Sequence, residues 1–251
     1  MNDERIAAPP AEELPRKKGL KEYFYEGVMI FLAVVLGFMA ENLRQSIIDN
    51  SAKRDYIKAY YRSLQQDTTY IRSNLEYNRR RLLENDSVFI LMSSPKEYQN
   101  LVQLYYYARI SARGPTWTIT SDRTIIGLKG SEGFKLVNDQ NLSELMINYS
   151  SIIEKVDFNL SIAGTERAAL YPFLGELFDA NVFNEMLDEN GKIIKPKRVA
   201  PLLTQDVTTI NQFLFYNHQL KGSLLLEKQY LKSLEEANKE LRAFIYAHYL
   251  D

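Results

Sequence analysis

The side chains in this sequence that could do chemistry are few and scattered. His218 and His248 are the only histidines, and they lie thirty positions apart, which gives no spacing for joint metal ligation. Cysteine is absent, which excludes disulfides, thiolate metal sites and cysteine nucleophiles. Glu235, Glu236 and Glu240 read as the solvated face of a helix rather than a metal site. Arg79-Arg80-Arg81 is a basic run on a helix, read as a solvated face or a partner contact. There is no glycine-rich phosphate loop, HExxH, GxSxG or EF-hand pattern. No nucleophile can be paired with a base, so no enzyme and no cofactor or metal is expected. The formal net charge of -1 provides no broad basic field for nucleic acid.

The informative stretch is instead apolar. Gly27 to Ala40 is an uninterrupted apolar run of 14 residues. As a helix it spans only about 21 Å, short of a hydrocarbon core of roughly 30 Å. Its flanks lengthen it. Tyr23, Phe24 and Tyr25 precede the run, as suits a bilayer interface, and Leu43, Ile47 and Ile48 follow. A cleaved signal peptide would want small residues before the cut, and Phe38 stands where one belongs before Ala40. A retained membrane helix over 21–45 is the favoured reading, ahead of a buried soluble helix or a cleaved signal.

Helical spacing places Glu26, Ile30, Ala33, Gly37, Ala40, Glu41 and Arg44 on one stripe. Ala33 and Gly37 form a small-xxx-small pair that lets helices approach closely. The stripe reads either as a helix–helix contact face, or as one side of a single anchor with Glu26 at headgroup level. Five basic residues precede the run (Arg5, Arg16, Lys17, Lys18, Lys21) and four soon follow it (Arg44, Lys53, Arg54, Lys58). That bias predicts a cytoplasmic N-terminus and a periplasmic bulk, in a bacterial inner membrane.

The elements that position these residues are helices. Residues 1–20 contain Pro9, Pro10 and Pro15 among mixed charges and read as a disordered tail. Neither Pro nor Gly interrupts the chain from Phe38 to Ser94, so one helix is predicted from near Lys21 to Met92. Its apolar stripe is Ile57, Tyr60/Tyr61, Leu64, Thr68, Ile71, Leu75, Asn78 and Leu82. A second helix is expected over Lys96 to Ser111. Thr120 or Ser121 can cap a short one near Asp122 to Lys129. Asn138 can cap a longer helix through Leu142, Tyr149, Val156 and Leu170, which Pro172 kinks or ends, with a further piece to about Leu187. Glu189-Asn190-Gly191 is a turn. Thr204 can cap a last long helix with Asp206 in its first turn. Asn78, Asn217 and Asn238 fall on apolar stripes, where buried amides fix register at a cost in stability. The first and last long helices are expected to pair antiparallel.

The most distinctive polar corner is Lys129, Gly130, Ser131, Glu132, Gly133 and Phe134. It reads as a helix–turn–helix corner shaped by its glycines, or as a partner-binding corner.

A basic N-terminal segment, a Glu-containing membrane helix, the long-helix segment YIKAYYRSLQQDTTYI and a Leu-Lys-x-Ser-x-Gly-x-x-Leu-Val-x-Asp-x-x-Leu corner ending in Tyr149 stand in that order. In this, residues 20–155 resemble a Bacteroidota family of small single-pass membrane proteins of unknown function. That family typically has a Trp soon after the Asn beyond the membrane helix, whereas Leu43 follows Asn42 here. The resemblance implies a membrane helix and a helical extramembrane domain, and no activity.

The expected architecture is all-α: a single N-terminal transmembrane helix continuous with a long helix, and an antiparallel helical bundle over 46–251. The expected function is that of a non-enzymatic membrane-anchored scaffold or accessory subunit. Its expected partners are membrane lipid, another membrane protein or further copies of itself, and no nucleic acid. The alternative is an extracytoplasmic ligand sensor signalling through its membrane helix.

Overall fold

A computed structural model describes residues 19–92, 98–114 and 139–250. The fold is an all-α helical bundle. Helix α1 spans Leu20–Met92 (73 residues) and α2 Tyr98–Ser111. Helix α3 spans Gln140–Leu177, α4 Ala180–Glu185 and α5 Val207–Ile245, with a closing π-helical turn at Tyr246–Leu250. The chain divides into two compact units, Met1–Ala52 and Lys53–Asp251. The described part of the first unit is almost entirely the start of α1.

In the second unit the three long helices bury residues at seven-residue intervals, the spacing of a coiled-coil seam. On α1 one buried row is Ile57, Leu64, Ile71, Asn78, Asn85 and Met92, and the other runs through Tyr60, Asp67, Arg81 and Val88. On α3 Leu142, Tyr149, Val156, Ala163, Leu170 and Leu177 form a row, as do Phe213, Leu220, Glu227, Leu234 and Leu241 on α5. The stripe read from the sequence has the right helix and a drifting phase. Asp67 and Arg81 are buried where Thr68 and Leu82 were expected, and those two are only half-buried.

Helices α1 and α5 run antiparallel in a fixed register. Asn238 donates to the Leu64 carbonyl at 3.0 Å, Asn78 to the Leu224 carbonyl at 2.9 Å and Asn85 to the Asn217 carbonyl at 3.1 Å. Each step of seven or fourteen residues along α1 is matched by an equal step back along α5. Two hydrophobic clusters result. One is built around Leu64, Ile71, Tyr149, Ile153, Leu234 and Leu241. The other is built around Leu104, Tyr105, Leu170, Leu177, Phe178, Phe213 and Leu220, and takes in α2 and α4.

Two caps differ from expectation. Asp139 caps α3, accepting from the Leu142 amide at 3.1 Å. Asp206, not Thr204, caps α5, accepting from the Thr209 amide at 2.8 Å. A carboxylate at the N-cap meets both the free amides and the positive end of the helix dipole. Pro172 lies inside α3, which continues five residues beyond it before Phe178 ends the helix. The predicted turn at Asn190-Gly191 is present. Gly191 adopts φ +70°, and Asp188 gathers the amides of Asn190 and Lys192 at 2.9 and 2.8 Å.

Candidate functional site

The predicted membrane segment is one continuous stretch of α1. An 18-residue window of it has a mean hydropathy of 1.9, and none of that window is buried. It is a helix long and apolar enough to cross a membrane. Glu26, Ile30, Ala33, Gly37, Ala40, Glu41 and Arg44 all lie on this helix and are exposed. At roughly 100° of turn per residue they cover a single face. Glu41 and Arg44 are taken up by each other, in a pair at 2.6 and 2.9 Å. A Cβ added at Gly37 would meet nothing within 4 Å among the described residues. The second predicted site, Lys129, Gly130, Ser131, Glu132, Gly133 and Phe134, lies outside the described residues, as do Thr120, Ser121 and Asn138.

The bundle interior carries polar groups that the sequence reading undervalued. In the first cluster the Tyr149 hydroxyl donates to Asp67 at 2.8 Å, both buried. Thr68 donates to the Asn238 carboxamide oxygen at 2.9 Å, and Arg242 donates to the Thr68 hydroxyl at 3.0 Å. The Tyr60 hydroxyl is buried with no partner among the described residues, and burial pushes its pKa upward.

Nearer α2 lies a charged layer. Arg81, Arg167 and Glu227 are 5%, 5% and 8% exposed. The solvated-face reading of Arg79-Arg80-Arg81 therefore holds for only two of the three. Arg79 pairs with Glu76 at the surface and Arg80 is exposed, while Arg81 turns inward and donates to the Ser111 carbonyl at 3.3 Å. Burial raises the pKa of Glu227, against the hydrogen bond from Asn78 and the nearby Arg81 and Arg167. Burial, followed by repulsion from Arg81, lowers that of Arg167. The heptad row Tyr60, Asp67, Arg81, Val88 was the signal that could have revealed Arg81.

The C-terminal end of α2 is held by these residues. Tyr171 donates to the Ala112 carbonyl at 3.3 Å and Tyr77 to the Gly114 carbonyl at 3.4 Å, beside the Arg81 bond to Ser111. Two clefts of about 290 Å³ each open here. One is lined by Arg109, Arg113 and Tyr171, the other by Tyr77, Arg80, Glu84, Tyr106, Arg113 and Lys192. Arg80 lies 5.9 Å from the centre of the Tyr77 ring, and Arg109 lies 5.3 Å from that of Phe183.

The histidines stay apart from these groups. His218 is exposed and meets the edge of Phe89, while His248 stacks on Phe244 with ring centres 4.2 Å apart. Among the described residues no group of His, Cys, Asp and Glu could hold a metal ion. What the arrangement offers is apolar surface on α1 and cationic surface beside α2. No family model matches the chain, and no curated protein or solved structure matches it.

Proposed function

We propose that this chain is a membrane-anchored scaffold or accessory subunit that assembles through its membrane helix and its bundle. The observation that carries the reading is the apolar start of α1, unburied across the full 18-residue window. Such a surface in water would be an aggregation liability, and in a bilayer it is a solvated anchor. The face carrying Ala33 and Gly37 is the side through which a second helix would pack closely. The heptad-packed bundle suits a stiff spacer or docking body. The proposed setting is a bacterial inner membrane, with a cytoplasmic N-terminus and a periplasmic bundle.

The test is purification from native membranes in mild detergent, with mass spectrometry of the co-migrating proteins. Stoichiometric recovery of a second membrane protein supports the accessory-subunit reading. Recovery of this chain alone as a monomer overturns assembly of either kind.

The cationic clefts beside α2 favour a second reading, an extracytoplasmic sensor whose bundle binds a ligand. The membrane helix would then carry a shift to a partner.

A further inference from the structure

The charge balance at the α2 clefts is unequal. Arg80, Arg109, Arg113 and Lys192 line them, and Glu84 is the one acid in the lining among the described residues. Burial raises the pKa of Glu84, so its charge is the costlier one to keep. None of the four cations joins a salt bridge among the described residues. The Nε of Arg109 is buried with no hydrogen-bond acceptor among the described residues. An unpaired buried donor on a cation is costly and signals a missing acceptor. One layer inward, Arg81 and Arg167 outnumber Glu227. The C-terminal dipole of α2 attracts cations, yet it is equivalent to only about half a negative charge. It cannot balance an excess of three in the clefts.

We infer that these clefts bind a small multivalent anion of the phosphate class, with Arg113 shared between two anionic ends. Arg113 lines both clefts, so one guanidinium can serve a ligand lying across them. Guanidinium forks match phosphate oxygens in paired hydrogen bonds, and Arg80 already lies within cation–π range of the face of Tyr77. A volume of about 290 Å³ per cleft is at the small end for ligand sites, which fits a diphosphate rather than a large cofactor. The assignment supplies a ligand class for the sensor reading and does not depend on the scaffold reading. Co-purification can therefore succeed or fail independently of it.

The experiment is calorimetric titration of the full chain in detergent with inorganic pyrophosphate at fixed ionic strength, and with citrate as the carboxylate counterpart. Saturable pyrophosphate binding is expected. It should weaken by about tenfold or more in Arg113→Gln and in Lys192→Gln, and stay unchanged in Arg79→Gln, whose arginine is paired with Glu76. Thermal melts establish that each variant is folded, and Lys192→Gln on the exposed turn keeps the test open if Arg113→Gln does not fold. No saturation at millimolar pyrophosphate would overturn the inference. So would citrate binding without pyrophosphate binding, or equal weakening by Arg79→Gln.

Discussion

Asn78 on α1 donates its carboxamide to the backbone carbonyl of Leu224 on α5 at 2.9 Å, and both residues are buried. The same device recurs one heptad on, from Asn85 to Asn217, and runs in the reverse direction from Asn238 to Leu64. Purely apolar rows could slide by a heptad at little cost. An amide that must find one carbonyl cannot, so these contacts set the register of two helices far apart in sequence. Asn78→Ala should lower the unfolding free energy by about 1–2 kcal/mol, measured by urea denaturation. Asn78→Leu should cost less, because an apolar side chain refills the space. A larger loss in the Leu variant would sink the register account.

The Tyr149–Asp67 bond joins α3 to α1 inside the first cluster. Tyr149→Phe keeps the ring and deletes one donor to a buried carboxylate. The expected loss is about 1.5–3 kcal/mol, and a second change, Asp67→Leu, should recover part of it. Additive losses from the two changes would show that the bond carries no coupling.

Two acids should give opposite pH signatures. Burial raises the folded-state pKa of Glu227 above its ordinary 4.5. Its contribution to stability is therefore fully present below 4.5 and is lost as pH climbs through the raised value. Glu227→Gln should gain stability relative to the parent between pH 4.5 and neutrality. The hydrogen bond from Tyr249, at 2.7 Å, comes first in holding Asp139 below its ordinary 3.8. That contribution is present above 3.8 and disappears as pH falls. The loss caused by Tyr249→Phe should thus shrink in acid. Denaturation series across pH check both, and a Glu227→Gln difference that stays flat or falls would refute the first.

On the membrane segment, Gly37→Leu places a branched side chain where a Cβ meets nothing within 4 Å, so the chain's own fold should be unaffected. Any self-association through the Ala33/Gly37 face should weaken, because close approach of helices needs small residues. Sedimentation in mild detergent reads this directly. An unchanged oligomeric state would remove the face from consideration.

Topology is testable because the chain lacks cysteine. Glu189 is exposed beside the turn, whereas Gly191 at φ +70° would strain any side chain placed there. Glu189→Cys should react with a membrane-impermeant thiol reagent added to spheroplasts. Labelling only after lysis would reverse the proposed orientation.

Read alone, the sequence determined the helical class, the place of the apolar segment and the continuity of α1 from its start to Met92. Each is a local property: an apolar run, an absence of Pro and Gly over Phe38 to Ser94, and a repeating step. It also identified Asn78, Asn217 and Asn238 as interior amides, because each breaks an otherwise apolar row. Only the tertiary structure decided which polar residues are buried. Asp67, Arg81, Arg167 and Glu227 look like surface residues, since a lone buried charge is too costly to expect. What moderates that cost comes from elsewhere in the chain: Tyr149 for Asp67, the Ser111 carbonyl for Arg81, and Asn78 for Glu227. The cationic clefts were invisible for the same reason. Arg80, Arg109 and Lys192 come from α1, α2 and the turn after α4, and no local pattern announces that folding brings them together.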